Sequence, residues 1–568
     1  MRLIKGSRAP GLYRSVGSGI WVPDNRAGGL AGSVRRVPGL LAAFLFWLFF
    51  AAIYLGIQAS LPFVVGRIPA YFVILFAVLL LGVVVFLAGS DKRWRFVLVI
   101  AFFLIMSGQL PVFFGGTRLN TRVIETLLRL ILMAFVALDT LALRRRVWPP
   151  LWLLVIFVSH VGLLGLSWVG AEYITEIYAT REVLLMHLTG LFLFIAGYVY
   201  VRSWRHVVSF ASVMVVGAAA FALLGIVEYI AGEQYYRLYL RAFPYMTERI
   251  QLALAHHRVI GPFDNQVAFG SWLAMFVTIP LALKANEHQF KRRVIWNVVL
   301  ILLWVCLFFT GSRGPFLGAF AGFVIYSWLT GRIKKAFVVN TVMGLLVLVV
   351  VAYGGRIARM LPENNLILRF VDPAAAVRSG GDVFETVRDA RLKTWQDAIE
   401  EWRHRPILGI GPGEWVKRRL KVYEQGRVTT VSSFSPYVQY LVENGVLGLG
   451  SLALLLVVLG VYNVRLLARL KPGPRRDLIA SLSVACLIVH LVSLTDVGYG
   501  TNRLFYFFWM AQGVLLMGAR LALEEESEQE KQAAGSLLQG WRPGWRAPAS
   551  RLPVSVYQTG MGGGHPGP

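Results

Sequence analysis

The residues best suited to chemistry in this chain are arginines set beside apolar runs. Arg258 stands in His256-His257-Arg258-Val259-Ile260-Gly261-Pro262-Phe263-Asp264-Asn265, directly ahead of one such run. Arg313 stands in Gly311-Ser312-Arg313-Gly314-Pro315, a link too short to leave the ends of the two runs it joins. Arg388 and Arg391 precede Trp395, Ile399 and Trp402, which recur at the spacing of one helix face and describe an amphipathic helix lying on a membrane. Guanidinium groups grip phosphate oxygens through paired hydrogen bonds. A charge at a membrane boundary is costly unless it faces a cavity or a partner. Any one such arginine is more often a topological or headgroup contact, but several at one depth suit an anionic ligand with many oxygens, such as a lipid-linked diphosphate. The sequence contains no P-loop, dinucleotide fingerprint or metal-ligand cluster. That favours a donor already activated on a lipid carrier, and no cofactor is expected. The run Gly409-Ile410-Gly411-Pro412-Gly413 lacks the following Lys-Ser or Lys-Thr of a phosphate loop and reads as a tight backbone turn.

The elements that must position these side chains are membrane helices. Of 568 residues, 57% are hydrophobic and only 15% charged, and the apolar residues come in long blocks. A span needs about 20 predominantly apolar residues. Such runs lie near 38–57, 69–88, 95–115, 127–143, 150–170, 184–201, 207–230, 267–284, 294–311, 315–330, 336–353, 445–464, 478–495 and 504–522. The expectation is an all-α polytopic protein of roughly fourteen transmembrane helices. A cytoplasmic tail over 1–37 precedes the membrane domain of 38–522, and a disordered tail over 523–568 follows it. One large loop, 354–436, interrupts the membrane domain and carries short amphipathic helices.

Charge orients the helices. The formal net charge of +27 does not imply nucleic acid here, because much of it lies in short links between apolar runs. With the basic N-terminus inside, alternate links must be inside too. They carry Lys92, Arg93 and Arg95; Arg144 to Arg146; Arg202 and Arg205; Lys291 to Arg293; Arg332, Lys334 and Lys335; and Arg465, Arg469, Lys471, Arg475 and Arg476. Both termini are then cytoplasmic, and the segments 231–266, 311–314, 354–436 and 496–503 face the outer side of a cytoplasmic membrane. Cys306 and Cys486 lie far apart inside apolar runs and indicate neither a disulfide framework nor a metal site.

Four segments, in order, resemble the bacterial O-antigen ligase and O-antigen polymerase superfamily. They are Arg258 to Asn265; Ser312-Arg313-Gly314; Arg391 and Trp395 followed by Pro406-Ile407-Leu408-Gly409-Ile410-Gly411-Pro412-Gly413; and Tyr437 to Leu449, ending Glu443-Asn444-Gly445-Val446-Leu447-Gly448-Leu449. The resemblance implies a metal-independent, inverting glycosyltransferase of the inner membrane. Its donor would be an undecaprenyl-diphosphate-linked glycan, and its acceptor a hydroxyl of lipid A core or of another lipid-linked glycan. Arg258, Arg313 and Arg391, with Arg388 nearby, would bind the diphosphate and stabilise the charge that grows on it as it leaves.

Where the family often has a His-Asn pair before the closing helix, this chain reads Ser433-Phe434-Ser435-Pro436-Tyr437. The outward groups that could replace such a base are His404, Glu414, His256, His257 and Asp264. Each also has a structural reading: His404 abuts Arg403 and Arg405, Glu414 can cap or pair within the loop, and Asp264 can cap the next helix. Asp496 stands at a span end and could face the same cavity. The alternatives are a flippase for lipid-linked sugars, a peptidoglycan-type polymerase, or a non-catalytic component of a polysaccharide export complex. A flippase predicts internal repeats and polar residues inside the spans. No repeat is evident, and the mid-span regions read as almost free of acids and bases.

Overall fold

A computed structural model describes residues 13–16, 20–23, 90–106, 112–114, 117–119, 121–142, 148–169, 177–232, 258–263, 265–331, 383–415, 418–419, 435–494 and 501–540. The described chain is overwhelmingly helical. Beside the helices, as the all-α expectation has it, stand only two minimal antiparallel ribbons among the described residues: β1 (Tyr13–Val16) with β2 (Ile20–Pro23), and β3 (Val112–Phe114) with β4 (Thr117–Leu119). Phe114 pairs with Thr117 in the second ribbon.

The helices are α1 (Ser90–Met106), α2 (Thr121–Ala142), α3 (Leu151–Val169), α4 (Ile177–Tyr200), α5 (Trp204–Ala231), α6 (Gln266–Phe276), α7 (Ile279–Ala285), α8 (Phe290–Phe309), α9 (Arg313–Leu329), α10 (Val383–His404), α11 (Pro436–Arg469), α12 (Pro474–Ser493) and α13 (Asn502–Gly540). Among the described residues, eight segments are long and apolar enough to cross a membrane, with α6 and α7 forming one of them. The expected runs 38–57, 69–88 and 336–353 lie outside the described residues. Two more, α1 and α9, are helices of only 17 residues. Helix α2 is excluded by charge: Arg122, Glu125, Arg129 and Asp139 all fall within it.

The charges along the body of α2 have partners. Asp139 is fully buried and pairs at 2.9 Å with Arg93, itself buried in the first turn of α1. Arg129 pairs with Glu125 one turn away. Buried charges persist in such a setting only when paired.

Helix α13 is the hub. Its residues Leu504 to Met517 are almost wholly buried, and it crosses α4 at backbone contact. A Cβ on Gly197 would lie 2.6 Å from the Met510 carbonyl oxygen, and one on Gly513 would lie 2.9 Å from the Tyr198 nitrogen. Small residues at such crossings let helices approach where no aqueous hydrophobic effect drives them together. The apolar run 267–284 folds as two helices because Pro280, in the first turn of α7, has no N–H to continue the ladder of α6.

Helix α13 continues to Gly540, so the tail expected to begin at 523 starts as helix. Its acidic run has partners: Glu530 pairs with Lys471 at 2.7 Å, Glu525 with Arg475, and Glu524 with Arg520 at 2.9 Å. Arg475 also lies over the Trp204 ring, and Asn286 reaches the Pro474 carbonyl at 2.8 Å. The links around 203, 286 and 472 therefore gather at one end of the bundle, together with the acidic stretch of α13. The arginine segments at 258 and 313 occupy the other end.

Candidate functional site

The Arg258 segment is held from three sides. Glu228, in the last turn of α5 and 1% exposed, receives the Ile260 N–H at 2.7 Å on one carboxylate oxygen and the Gly261 N–H at 2.8 Å on the other. Arg503, at the start of α13, donates to the Pro262 carbonyl at 3.0 Å and lies 4.2 Å over the Phe263 ring. On the third side, the Val259 N–H bonds the Phe309 carbonyl at 3.2 Å. Gly261 adopts φ 54, a left-handed turn that reverses the chain before α6. The N-cap of α6 is Asn265, whose side chain accepts the Ala268 N–H at 2.8 Å, so the cap falls one residue beyond the expected Asp264.

The bond from Val259 to Phe309 joins this segment to the second one. Phe309 ends α8, three residues follow, and Arg313 begins α9. Gly311 has φ 60, and the Ser312 N–H bonds the Thr310 hydroxyl at 3.3 Å. A Cβ on Gly270 of α6 would lie 3.0 Å from that hydroxyl, so the turn nests against the helix that the Arg258 segment introduces. Tyr229 stacks on Phe309 at 4.0 Å and closes the same corner. Arg258 and Arg313 are both half-buried, on segments that share a backbone hydrogen bond.

The third and fourth motif segments are also bonded to each other. Helix α11 is broken at Gly445, whose φ of 65 and ψ of -169 are not helical. The break frees backbone groups that the stretch 406–411 takes up. Ile410 N–H bonds the Val442 carbonyl at 3.0 Å and Gly411 N–H the Glu443 carbonyl at 2.9 Å, while Val446 N–H bonds the Pro406 carbonyl at 2.9 Å and Leu447 N–H the Ile407 carbonyl at 3.2 Å. Gly409, Gly411 and Gly413 all have positive φ, as the reading of a tight turn requires. A Cβ on Gly409 would collide with the backbone of Glu443 and Asn444. The Glu443 carboxyl bonds Gln439 at 3.1 Å and the backbone of Gly413 and Trp415.

Helix α10 covers this joint. Ala398 is buried with Ile410, Trp415 and Val442, and Trp402 packs against that cluster while donating to the Pro406 carbonyl at 3.1 Å. Arg419 reaches back to Asp397 at 2.6 Å and Thr394 at 3.0 Å, and Arg418 pairs with Glu401. The expected stripe of Trp395, Ile399 and Trp402 is thus divided: Trp402 faces protein, and Ile399 is exposed. Glu414 is fully buried near Glu443. His404 is exposed at the end of α10. Arg388 and Arg391 lie on α10, but their side chains are outside the described residues, as are His256, His257, Asp264, Asp496, Ser433 and Phe434.

Several polar groups here escaped the sequence reading. Tyr440 of α11 bonds His187 of α4 and, at 3.3 Å, His160 of α3, which in turn meets Ser451 at 2.8 Å. Tyr437, next to the position where a His-Asn pair was expected, shares a 2.7 Å hydrogen bond with His490 of α12. Glu228 and these histidines are ionisable residues inside apolar runs, and that alone was a signal worth following.

A family model described as O-antigen ligase matches residues 298–453. The match runs from α8 through the break in α11 and includes Arg313, Arg388, Arg391, His404 and Glu414, while Arg258 and its supports Glu228 and Arg503 lie outside it. No curated protein matches the chain.

Proposed function

With residues 298–453 matching the O-antigen ligase family, we propose that this multi-pass membrane protein transfers a glycan from undecaprenyl diphosphate to an acceptor hydroxyl at the outer face of a bacterial inner membrane. Arg258 and Arg313 hold the diphosphate, and the family resemblance assigns Arg391, with Arg388 nearby in sequence, to the same ligand. The single observation that carries the reading is the Val259–Phe309 hydrogen bond, which sets the Arg258 segment beside the Arg313 turn although Arg258 lies outside the family match. Two arginines carried on segments joined by a backbone hydrogen bond suit a diphosphate, whose negative charge increases as the anomeric carbon–oxygen bond breaks. The acceptor oxygen attacks from the opposite face as the bond to the diphosphate breaks, which inverts the anomeric carbon; the hydroxyl proton passes to the departing diphosphate or to water, and no metal is required where fixed cations neutralise the leaving group. The acceptor is lipid A core for a ligase or another lipid-linked glycan for a polymerase.

The test is transfer or elongation of undecaprenyl-diphosphate-linked glycan by purified protein in lipid, without nucleotide or divalent metal. Arg258→Ala and Arg313→Ala should each abolish turnover while leaving the bundle folded. Full activity in the double variant would overturn the proposed site. Product analysis separates glycan on lipid A core from longer chains still on the carrier.

A further inference from the structure

The turn after α10 exposes apolar side chains outside any described helix. Ile407 is 64% exposed and Leu408 38%, although both stand in a segment whose next residues are buried. Its depth follows from α3 and α11, which run antiparallel: Trp152 meets Tyr462 at 5.7 Å, and His160 meets Ser451 at 2.8 Å. Following both helices onward by equal numbers of residues from His160 and Ser451 brings Val169, the end of α3, level with Val442. The break at Gly445 therefore lies near the end of the described part of α3 that packs against α11. Residues 446–464 below it make about 28 Å of helix, close to the roughly 30 Å of a bilayer core.

The turn is bonded to the start of the apolar portion of α11 beyond the break. Its carbonyls at Pro406 and Ile407 accept from Val446 and Leu447, themselves 51% and 46% exposed. The same face of α11 continues through Leu454, Val457, Val461 and Val464, all exposed and apolar, which is the pattern of a lipid-facing stripe. Directly before the turn come Arg403, His404 and Arg405, all exposed, a basic rim where headgroups would lie. An apolar tip with a cationic collar is the arrangement of an interfacial anchor.

We propose that the turn 406–408 is such an anchor, inserting Ile407 and Leu408 into the edge of the bilayer core and so fixing the depth of the Gly409–Trp415 stretch against the membrane. The occupant is lipid, because the apolar patch is continuous with the lipid-facing stripe of α11 and is collared by positive charge. This inference does not depend on the catalytic reading.

The experiment places an environment-sensitive NBD label on Ile407→Cys, Leu408→Cys and, as the aqueous reference, His404→Cys in the full chain. The native Cys306 and Cys486 are buried, and the unsubstituted chain supplies the labelling blank. The protein is reconstituted in phosphatidylethanolamine and phosphatidylglycerol vesicles. At 407 and 408 the label should emit at shorter wavelength than at 404, lose intensity to acyl-chain doxyl lipids and resist aqueous iodide. Quenching by iodide at 407 and 408 equal to that at 404, with no response to doxyl lipid, would overturn the proposal. Should a substituted chain fail to fold, a carbene-generating lipid applied to the unmodified protein reads the same question: label on the 406–408 peptide supports insertion, and its absence there alongside label on 454–464 refutes it.

Discussion

Replacing Glu228 tests whether the Arg258 segment must be held rigidly. Its carboxylate receives two backbone N–H groups, at 2.7 and 2.8 Å, in a site that is 1% exposed. Hydrogen bonds to a charged group contribute about 1.5–3 kcal/mol each. Glu228→Gln keeps the shape but turns one acceptor oxygen into a donor, so one of the two N–H groups faces another donor. If the segment must keep this geometry as the diphosphate leaves, losing one such bond slows turnover by about 10- to 100-fold, since about 1.4 kcal/mol is tenfold. Glu228→Ala removes both bonds, leaves two buried donors without their acceptor and should be worse. The rate is read by single-turnover glycan transfer in proteoliposomes. Hydrogen exchange at the Ile260 and Gly261 amides reports the same perturbation without reference to activity, and exchange should accelerate at those two positions with the rest of the bundle unchanged. Wild-type turnover in Glu228→Gln together with accelerated exchange would show that the segment is held there for stability and not for the reaction. Unchanged exchange would refute the argument at its first step.

The other expectations concern the arginines, the break in α11 and the tail of α13. Arg258→Lys and Arg313→Lys should both impair turnover, because a point charge cannot reproduce a two-pronged grip; a lysine variant as fast as the original would count against diphosphate binding there. Gly445→Ala places a Cβ against the Ile407 carbonyl in an extended, positive-φ backbone (φ 65, ψ -169) that is essentially reserved to glycine and costs an L residue about 1–3 kcal/mol, so limited proteolysis should begin to cut between 404 and 415. Glu530 is held below its ordinary value of 4.5 by the Lys471 ammonium, and Lys471 above its ordinary 10.5 by that carboxylate. The sign follows for each. The carboxylate's contribution is present above 4.5 and lost as pH falls through its depressed value, while the lysine's is present below 10.5 and lost as pH rises through its raised value. Protease protection of the α13 tail should therefore decline at both pH extremes and weaken with added salt, as exposed pairs do.

Much of the membrane architecture was legible because a span is a one-dimensional property: an apolar run of sufficient length has few other ways to satisfy its backbone. The links rich in Lys and Arg could be grouped by parity, and the contacts among Trp204, Pro474, Arg475 and the acids of α13 bring several of them together at one end. Helix α2 was legible as a span only by ignoring its charges, since sequence does not reveal that Asp139 would find Arg93 forty-six positions away. The amphipathic helix was recognised at α10, but its spacing could not decide which side met protein. Trp402 turned inward because the Pro406 carbonyl and the Val442 cluster were there to receive it. Tyr437 and His490 illustrate the same limit for the site: neither carries a motif, and only the packing of α11 against α12 joins them.

The two glycine-containing motifs explain why the large loop can be both long and specific. A helix running unbroken through Gly445 would consume the carbonyls of Val442 and Glu443 and the N–H groups of Val446 and Leu447 in its own ladder. The non-helical Gly445 releases them, and the stretch 406–411 satisfies them from outside. Each motif is therefore the condition for the other: without the break there is nothing for the loop to bond, and without the loop the break leaves buried backbone groups unmet. This accounts for glycine on both sides of the contact. Gly409 must pass close to the backbone of Glu443 and Asn444, and Gly445 close to that of Ile407. An alanine at either position should thus release the same stretch, and combining the two should cost little beyond the first, whereas independent sites would add. Full additivity of the two substitutions in a stability or proteolysis measurement would mean that the segments do not act as one joint.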